Sequence, residues 1–168
     1  AVAACRDKAR TRQLLAEYGV PSARSVLVDS AQEAAAAADA IGYPVVIKPR
    51  GLGGSAGVQR ADHREQTISH YQEAAAATLL GLEENAAIGV LVEEYLNGPE
   101  ISVECVVRAR GDLHIAAVTR KTLGAEPAFL EAGHLVDATD PLLTDPAVNQ
   151  VVAAAIKAVG ITMGVLHI

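Results

Sequence analysis

The sequence lacks the features that mark several large classes of protein. The net charge is −6, and the sequence contains no run of lysine and arginine. The chain therefore has no general electrostatic attraction to nucleic acid or anionic lipid. Its longest apolar runs, such as AAAAADAIG, are too short and too interrupted to span a bilayer, and no basic flank makes one of them a signal peptide. We therefore expect a small ligand and neither a nucleic-acid nor a membrane partner.

Cysteine is scarce too, and the two cysteines of the chain, Cys5 and Cys105, lie far apart. Cys105 stands inside an apolar run, so we expect reduced, buried thiols rather than a disulfide framework, which indicates a cytoplasmic protein. The chain of 168 residues, 51% of them hydrophobic, can bury one sizeable core or two small ones.

The first half of the chain alternates between helical and strand-like periods. RDKARTRQLLAEYGVP predicts a helix that ends near Gly19 and Pro21, and AQEAAAAADAIG predicts a helix capped by Asp29 or Ser30 and ended by Gly42. We expect strands at 25–29, 43–49, 57–62 and 88–96 and a further helix at 62–81. The strands at 43–49 and 57–62 are expected to pair across a glycine-rich loop.

The second half of the chain changes character. Residues 100–121 alternate over a long stretch and predict an antiparallel hairpin that turns at 110–112. A loop is expected from Leu123 to about Leu142. The segment DPAVNQVVAAAIKAVGI, with Pro146 near its start and Gly160 at its end, predicts a helix that leads into a terminal strand.

Together these elements predict an α+β fold of two small subdomains, each a mixed or antiparallel sheet with helices packed on one face. We expect a helical lead-in over 1–24, a subdomain with the glycine-rich loop over 25–93 and a larger one over 94–168. The chain begins without methionine and stops on ITMGVLHI, a strand pattern, so we expect it to be truncated at its C-terminus.

A candidate phosphate site lies where the strand YPVVIKP runs into the loop GLGGSAG. Strand alternation places Val46 and Lys48 on one face, and the loop that follows offers backbone N–H groups without side chains in the way. The electrostatic attraction between an ammonium and a phosphate oxygen about 4 Å apart is on the order of 4 kcal/mol at an effective dielectric of about 20. The alternative, a surface lysine before a turn, stays open.

The same loop also matches a dinucleotide fingerprint, since GLGGSA has the form G-x-G-x-x-A after a strand. That fingerprint should open a helix at once, whereas GVQRAD follows with a strand-like pattern. The Walker pattern fails, because no lysine followed by serine or threonine closes the loop. An NAD-binding, Rossmann-like oxidoreductase domain is therefore the alternative rather than the preferred interpretation.

The segment VLVEEYLNGPE leads from a strand through paired acids and a turn to Glu100. With it the chain resembles the ATP-grasp superfamily of carboxylate-amine ligases, which includes D-alanine:D-alanine ligase, biotin carboxylase, carbamoyl-phosphate synthetase and the L-amino acid ligases. The resemblance covers nearly the whole chain in five ordered segments: RDK, GVPSAR, YPVVIKPRGLGGSAGV, LVEEYLNGPEISVE and GVLHI. It implies an ATP-grasp fold, here truncated, with ATP and Mg²⁺ as cofactors.

The resemblance also implies roles for single residues: two lysines hold the ATP phosphates, a flexible loop folds over them, a hinge meets adenine largely through its backbone, and a carboxylate meets ribose. In that order these are Lys8 and Lys48; Gly53, Gly54, Ser55 and Gly57; Glu93, Glu94 and Leu96; and Glu100. A surface position for Lys8 and a solvated strand end for the paired acids are the open alternatives.

The segment FLEAGHLVDA resembles a substrate-facing part of the amino acid ligases and implies active roles for His134, its neighbour Glu131, and Lys121. A surface histidine is the alternative. ATP-grasp enzymes take their Mg²⁺ ligands from later strands, so the metal ligands are expected beyond residue 168 and none is named here.

The implied reaction of the parent protein is activation of a carboxylate by ATP to an acyl-phosphate, which an amine, or a thiol-type nucleophile, then attacks. The implied partners are small-molecule carboxylate and amine substrates, and a homodimer is left open. We expect the fragment alone to be inactive. A non-catalytic ATP-grasp nucleotide-binding module is a further alternative.

Overall fold

The computed structural model describes residues 1–78, 88–108, 112–125 and 129–168. The helices are α1 (Val2–Arg6), α2 (Lys8–Glu17), α3 (Ala31–Ile41), α4 (Arg64–Ala76) and α5 (Pro146–Val159), with a 3₁₀ helix at Pro141–Thr144. The strands are β1 (Ser25–Val28), β2 (Val45–Pro49), β3 (Gln59–Ala61), β4 (Val90–Glu94), β5 (Ile101–Arg108), β6 (Asp112–Leu123), β7 (Glu131–Val136) and β8 (Gly164–His167).

The first sheet has the strand order β1-β4-β2-β3, and its pairings are antiparallel. Strand alternation turns Val45 and Ile47 of β2 toward α3 and α4, where they join a core that includes Ala34 and Ala38. Alanine at these helix positions lets the helices approach the sheet closely. The opposite face of β2, which carries Lys48, is left open to a cleft.

The second sheet has the order β7-β6-β5-β8 and is also antiparallel. Its core lies on one face, where Val103, Cys105 and Val107 of β5 pack with Val152 and Ile156 of α5. The predicted hairpin, the paired strands around the glycine-rich loop and the α+β fold class are confirmed. The sheets are antiparallel rather than mixed, because each strand pairing in the described ranges is antiparallel.

Helix α2 and the residues just after it lie against α5, where Leu15, Val20 and Ala158 form a small buried cluster. Helix α2 also contacts β1, so it bridges the two sheets rather than extending away from them. The subdomain boundaries at residues 24 and 93 stay predictions. No helix in the described ranges is long and apolar enough to cross a membrane.

Several sequence predictions are wrong in detail. The expected loop from 123 to 142 contains β7 and the start of the 3₁₀ helix. Strand β7 is an exposed edge strand, so its sequence carries no apolar alternation. The prediction left Asp29 and Ser30 open as the cap of α3, and Ser30 is the cap, since its hydroxyl accepts from the Glu33 N–H at 3.2 Å. Cys5 is an exposed free cysteine, whereas Cys105 is buried as expected.

The helix expected over 62–81 begins at Arg64 and ends at Ala76; of its predicted end, residues 79–81 lie outside the described residues. The turn expected at 110–112 lies outside them as well, except for Asp112, which pairs with Arg108 as the first residue of β6.

Candidate functional site

Lys48 lies near the end of β2, on the sheet face opposite α3 and α4. Its ammonium forms an ion pair with Glu93 of β4; 16% of the Lys48 side chain and 4% of the Glu93 side chain are exposed. Burial lowers the pKa of Lys48, and the Glu93 carboxylate opposes that shift. Lys48 is therefore a largely buried cation, and the alternative of a surface lysine is wrong.

Arg12 of α2 contacts Glu93 from another direction. Its Nε lies 2.9 Å from Glu93 Oε1 and its Nη2 lies 3.1 Å from Oε2, which is a bidentate pair. Burial alone would raise the pKa of Glu93, but the hydrogen bond from Arg12 and the charge of Lys48 outweigh it and hold that pKa below its usual value. A solvated strand end is wrong for Glu93.

Lys8, the first residue of α2, completes this group. Its ammonium donates to the Leu52 carbonyl at the base of the glycine-rich loop. Burial lowers the pKa of Lys8, the nearby charges of Lys48 and Arg12 lower it further, and Glu93 opposes them. Lys8, Arg12, Lys48 and Glu93, here called the lysine cluster, carry three positive charges against one negative charge. The cluster therefore favours an anion.

Asp7 and Arg50 fasten α2 to the start of the loop. Arg50 Nε and Nη2 donate to the two carboxylate oxygens of Asp7 at 2.7 and 2.6 Å. The Lys8 backbone N–H donates to the Arg50 carbonyl at 3.2 Å. Hydrogen bonding from Arg50 holds the pKa of Asp7 below its usual value, so the pair is ionised near neutral pH. The pair therefore keeps the start of α2 beside the loop.

The predicted glycine-rich loop connects β2 to β3. Gly54, Ser55 and Gly57 have positive φ angles of 61°, 58° and 68°. At Gly57 a Cβ would lie 2.7 Å from the Cβ of Ala77 and 2.9 Å from the Cγ of Pro49, so no side chain fits without displacement. At Gly53 and Gly54 a Cβ would meet nothing within 4 Å, which leaves that side of the loop tip open.

A cleft of about 540 Å³ connects the lysine cluster to the second sheet. It brings together five of the predicted site residues, and its remaining lining is largely apolar. The predicted residues are Lys48, Glu93, Glu94, Leu96 and Glu100; the others are Arg12, Ala23, Val46, Val58, Tyr95, Asn97, Gly98, Pro99, Ile101, Leu123 and Phe129. The cleft therefore combines charged side chains with a largely apolar lining.

The connection between β4 and β5 forms one side of the cleft. The Glu94 N–H donates to the Arg24 carbonyl at 2.9 Å, so it is not available to a base, and the Glu94 carboxylate accepts from the Arg24 N–H at 3.2 Å. Leu96 is 66% exposed. The Tyr95 ring lies 4.8 Å from the Arg60 guanidinium carbon, which holds the connection against β3.

Lys121 of β6 lies at the centre of a second group of charges. Its ammonium is 3.1 Å from Glu100 and 2.7 Å from Glu131, and 11% of its side chain is exposed. The Glu131 carboxylate also contacts His134 Nε2 at 2.8 Å. Burial alone would lower the pKa of Lys121, but the two carboxylates outweigh it and raise that pKa above its usual value.

Of the predicted residues, five line the cleft and Lys121 and His134 lie in the second group; Glu100 belongs to both, because it lines the cleft and pairs with Lys121. The cleft lining does not include Lys8 or the loop residues Gly53, Gly54, Ser55 and Gly57. Sequence reasoning missed Arg12 and Arg50. The signal for Arg12 was its position one helical turn after Lys8, which puts both side chains on the same face of α2. Within the described ranges, no group of three or more His, Cys, Asp or Glu side chains could hold a metal ion.

Comparison with known proteins identifies the family of the chain. The family model of the ATP-grasp domain matches residues 41–168. D-alanine--D-alanine ligase from Pseudomonas entomophila is 29% identical over 103 residues, which cover 61% of this chain and 30% of that protein. Phosphoribosylamine--glycine ligase from Streptomyces coelicolor is 36% identical over 100 residues, 60% of this chain and 21% of that protein. The chain thus spans less than a third of these relatives.

Solved structures share the fold at low sequence identity. L-amino acid ligase from Bacillus licheniformis has a TM-score of 0.76 and 23% identity, with 98% of this chain and 36% of that one covered. Biotin carboxylase from Campylobacter jejuni, in complex with β,γ-ATP, has a TM-score of 0.75 and 20% identity, with coverage of 95% and 35%.

The biotin carboxylase domain dimer of 2-oxoglutarate carboxylase from Hydrogenobacter thermophilus, in complex with MgADP, has a TM-score of 0.73 and 22% identity, with coverage of 95% and 35%. The Rossmann-like alternative is wrong, because an antiparallel strand rather than a helix follows the glycine-rich loop and because another family matches. Since the family model covers more than half of the sequence, the chain belongs to the ATP-grasp domain family.

Proposed function

We propose that this chain is the ATP-binding part of a ligase that joins a small-molecule carboxylate to an amine. The observation that carries the proposal is the lysine cluster, which presents an excess of positive charge beside a cleft with a largely apolar lining. Negatively charged triphosphate oxygens pair with buried ammonium groups, and the apolar lining of the cleft can pack against the nucleotide base.

The residues of this chain would act by positioning and charge neutralisation. Lys8 and Lys48 bind phosphate oxygens, and the loop around Gly53 and Gly54 lies over them and excludes water from a reactive acyl-phosphate. Glu100 accepts hydrogen bonds from the ribose hydroxyls. The carbonyl of Glu94 and the backbone of Leu96 meet the base, since the Glu94 N–H already donates to Arg24.

We place the carboxylate and amine substrates beside Lys121 and His134, because both side chains contact Glu131 and Lys121 also pairs with Glu100 of the cleft. Amino acids are the preferred class, in line with the names of the ligase relatives. In the full-length parent protein, His134→Gln should then lower kcat without changing the Kd for ATP. A parallel fall in ATP affinity would remove His134 from this role.

Mg²⁺ is proposed to enter with the ATP phosphates. The described residues do not provide a ligand set for it, so no step is assigned to the metal. A cytoplasmic location and a homodimer stay predictions.

Thermal unfolding with ATP, with NADH and with no ligand tests the nucleotide site. A ligand at about 100 times its Kd should stabilise the native state by roughly 2.7 kcal/mol. We expect a shift with ATP that Lys48→Ala abolishes and that Lys157→Ala, at an exposed position of α5, leaves unchanged. A shift with NADH alone, or one that survives Lys48→Ala, would contradict the proposal.

Turnover separates a ligase from a non-catalytic nucleotide-binding module. The full-length parent protein should release ADP and phosphate only when ATP, a carboxylate and an amine are all present. Binding without substrate-dependent phosphate release would favour the module.

A further inference from the structure

We propose that Arg12 is a positioning residue that shares the Glu93 carboxylate with Lys48 and so leaves the Lys48 ammonium available to a phosphate group. This inference rests on the proposed function and adds to it a role for Arg12 that works through Glu93 and Lys48. It concerns how strongly Lys48 is held before a ligand arrives.

The geometry at Glu93 supports this division. Both carboxylate oxygens accept from Arg12, at 2.9 and 3.1 Å, and Oε2 also receives the Lys48 ammonium. With 4% of its side chain exposed, Glu93 has little access to water, so its charge must be balanced by these two cations. An arginine fork satisfies a carboxylate in the plane of its two oxygens, which a single ammonium does not do.

The charges show what the loss of Arg12 would change. Without it, Lys48 would be the remaining partner of Glu93 in the lysine cluster, and the ion pair between the two would tighten. An incoming phosphate would then compete with a buried carboxylate for the same ammonium. The positive excess of the cluster would fall from two charges to one, which weakens attraction for any anion.

A purely structural role makes a different prediction. Arg12 also joins α2 to β4 across 81 residues of sequence, so its removal could loosen the whole cleft. Loosening would weaken a ligand with phosphates and one without them by the same factor. Charge sharing affects only the ligand that carries phosphates, so the ratio of ATP affinity to adenosine affinity separates the two roles.

The experiment is calorimetric titration of the full chain with ATP and with adenosine. Arg12→Gln should lower the ATP-to-adenosine affinity ratio by about tenfold, the effect of roughly one charge-assisted hydrogen bond. Arg10→Gln, on the same helix but in an exposed pair with Glu17, should leave the ratio unchanged. The double variant Arg12→Gln/Glu93→Gln should restore the ratio, because it frees Lys48 and returns the cluster to two excess positive charges.

An unchanged ratio in Arg12→Gln, an equal loss for both ligands, or no recovery in the double variant would overturn the proposal. If Arg12→Gln does not fold, Arg12→Lys decides: lysine keeps the charge but not the fork, so the ratio should fall below that of the wild type, and an unchanged ratio would overturn the proposal. A wild-type protein that binds adenosine as tightly as ATP would instead refute the proposed function itself.

Discussion

Replacing Glu93 by glutamine removes the carboxylate that Arg12 and Lys48 share while keeping the size of the side chain. Three cations of the lysine cluster would then face one another without that anion, and Glu93 is only 3% exposed, so water cannot compensate for the loss. Breaking a buried ion pair by removing one partner costs about 3–5 kcal/mol. At about 2–4 °C per kcal/mol for a chain of this size, the midpoint of thermal unfolding should fall by roughly 6–20 °C.

Glu94→Gln is the matched control for this change. Glu94 follows Glu93 on the same strand and pairs with Arg24 at 3.4 Å, but this pair is exposed, so solvent and salt already screen it. Its midpoint should stay close to that of the wild type in the same calorimetric scan. The reasoning is refuted if the two variants unfold at the same temperature.

Anions give the Glu93→Gln experiment a second readout. ATP should raise the unfolding midpoint of Glu93→Gln more than that of the wild type, because its phosphates replace the lost negative charge beside Lys8 and Lys48. Adenosine should stabilise both proteins equally. A similar ATP shift in both would mean that the phosphates bind away from the cluster.

Three further predictions concern the loop, an ion pair and proton uptake. Gly57→Ala should lower the urea midpoint more than Gly54→Ala, since only the former Cβ would lie 2.7 Å from that of Ala77; equal midpoints would contradict this. Asp140→Asn should destabilise the protein near neutral pH but less as the pH falls below 3.8. Arg120 lowers the folded-state pKa of Asp140, so the ion pair stabilises the fold only while Asp140 is ionised. A difference in urea midpoints that does not change with pH would refute this prediction. ATP binding should be accompanied by proton uptake at alkaline pH below 10.5, because burial lowers the pKa values of Lys8 and Lys48 and bound phosphates favour the charged forms of both. Calorimetric titration in buffers of different ionisation enthalpy measures this uptake, and its absence would contradict the prediction.

Local patterns predicted the parts of the site that depend on local geometry. Alternation along β2 was enough to place Lys48 opposite Val45 and Ile47, because a strand turns successive side chains to opposite faces. The loop was visible because positive φ angles favour glycine. In both cases neighbouring residues determine the conformation.

The missed features depend on contacts between distant segments. Nothing near Arg12 in sequence shows that its partner is Glu93, and the exposure of β7 removes the apolar period by which a strand is recognised. In the sequence, Glu93 and Glu94 are two adjacent acids with nothing to distinguish them. The position of β4 between β1 and β2 buries the side chain of Glu93 and leaves that of Glu94 partly exposed to solvent.

The strand order of the two sheets also has a consequence for how the chain folds. Strands β5, β6 and β7 form a meander of sequence neighbours, so they can pair through short-range contacts. In the first sheet β4 lies between β1 and β2, so that sheet cannot close until residue 94 has been synthesised and has returned across most of the preceding chain. The second sheet has one such long-range pairing as well, because β8 must return to β5. We therefore expect the β5–β6–β7 meander to form early, and the insertion of β4 between β1 and β2 and the addition of β8 to be slower folding steps.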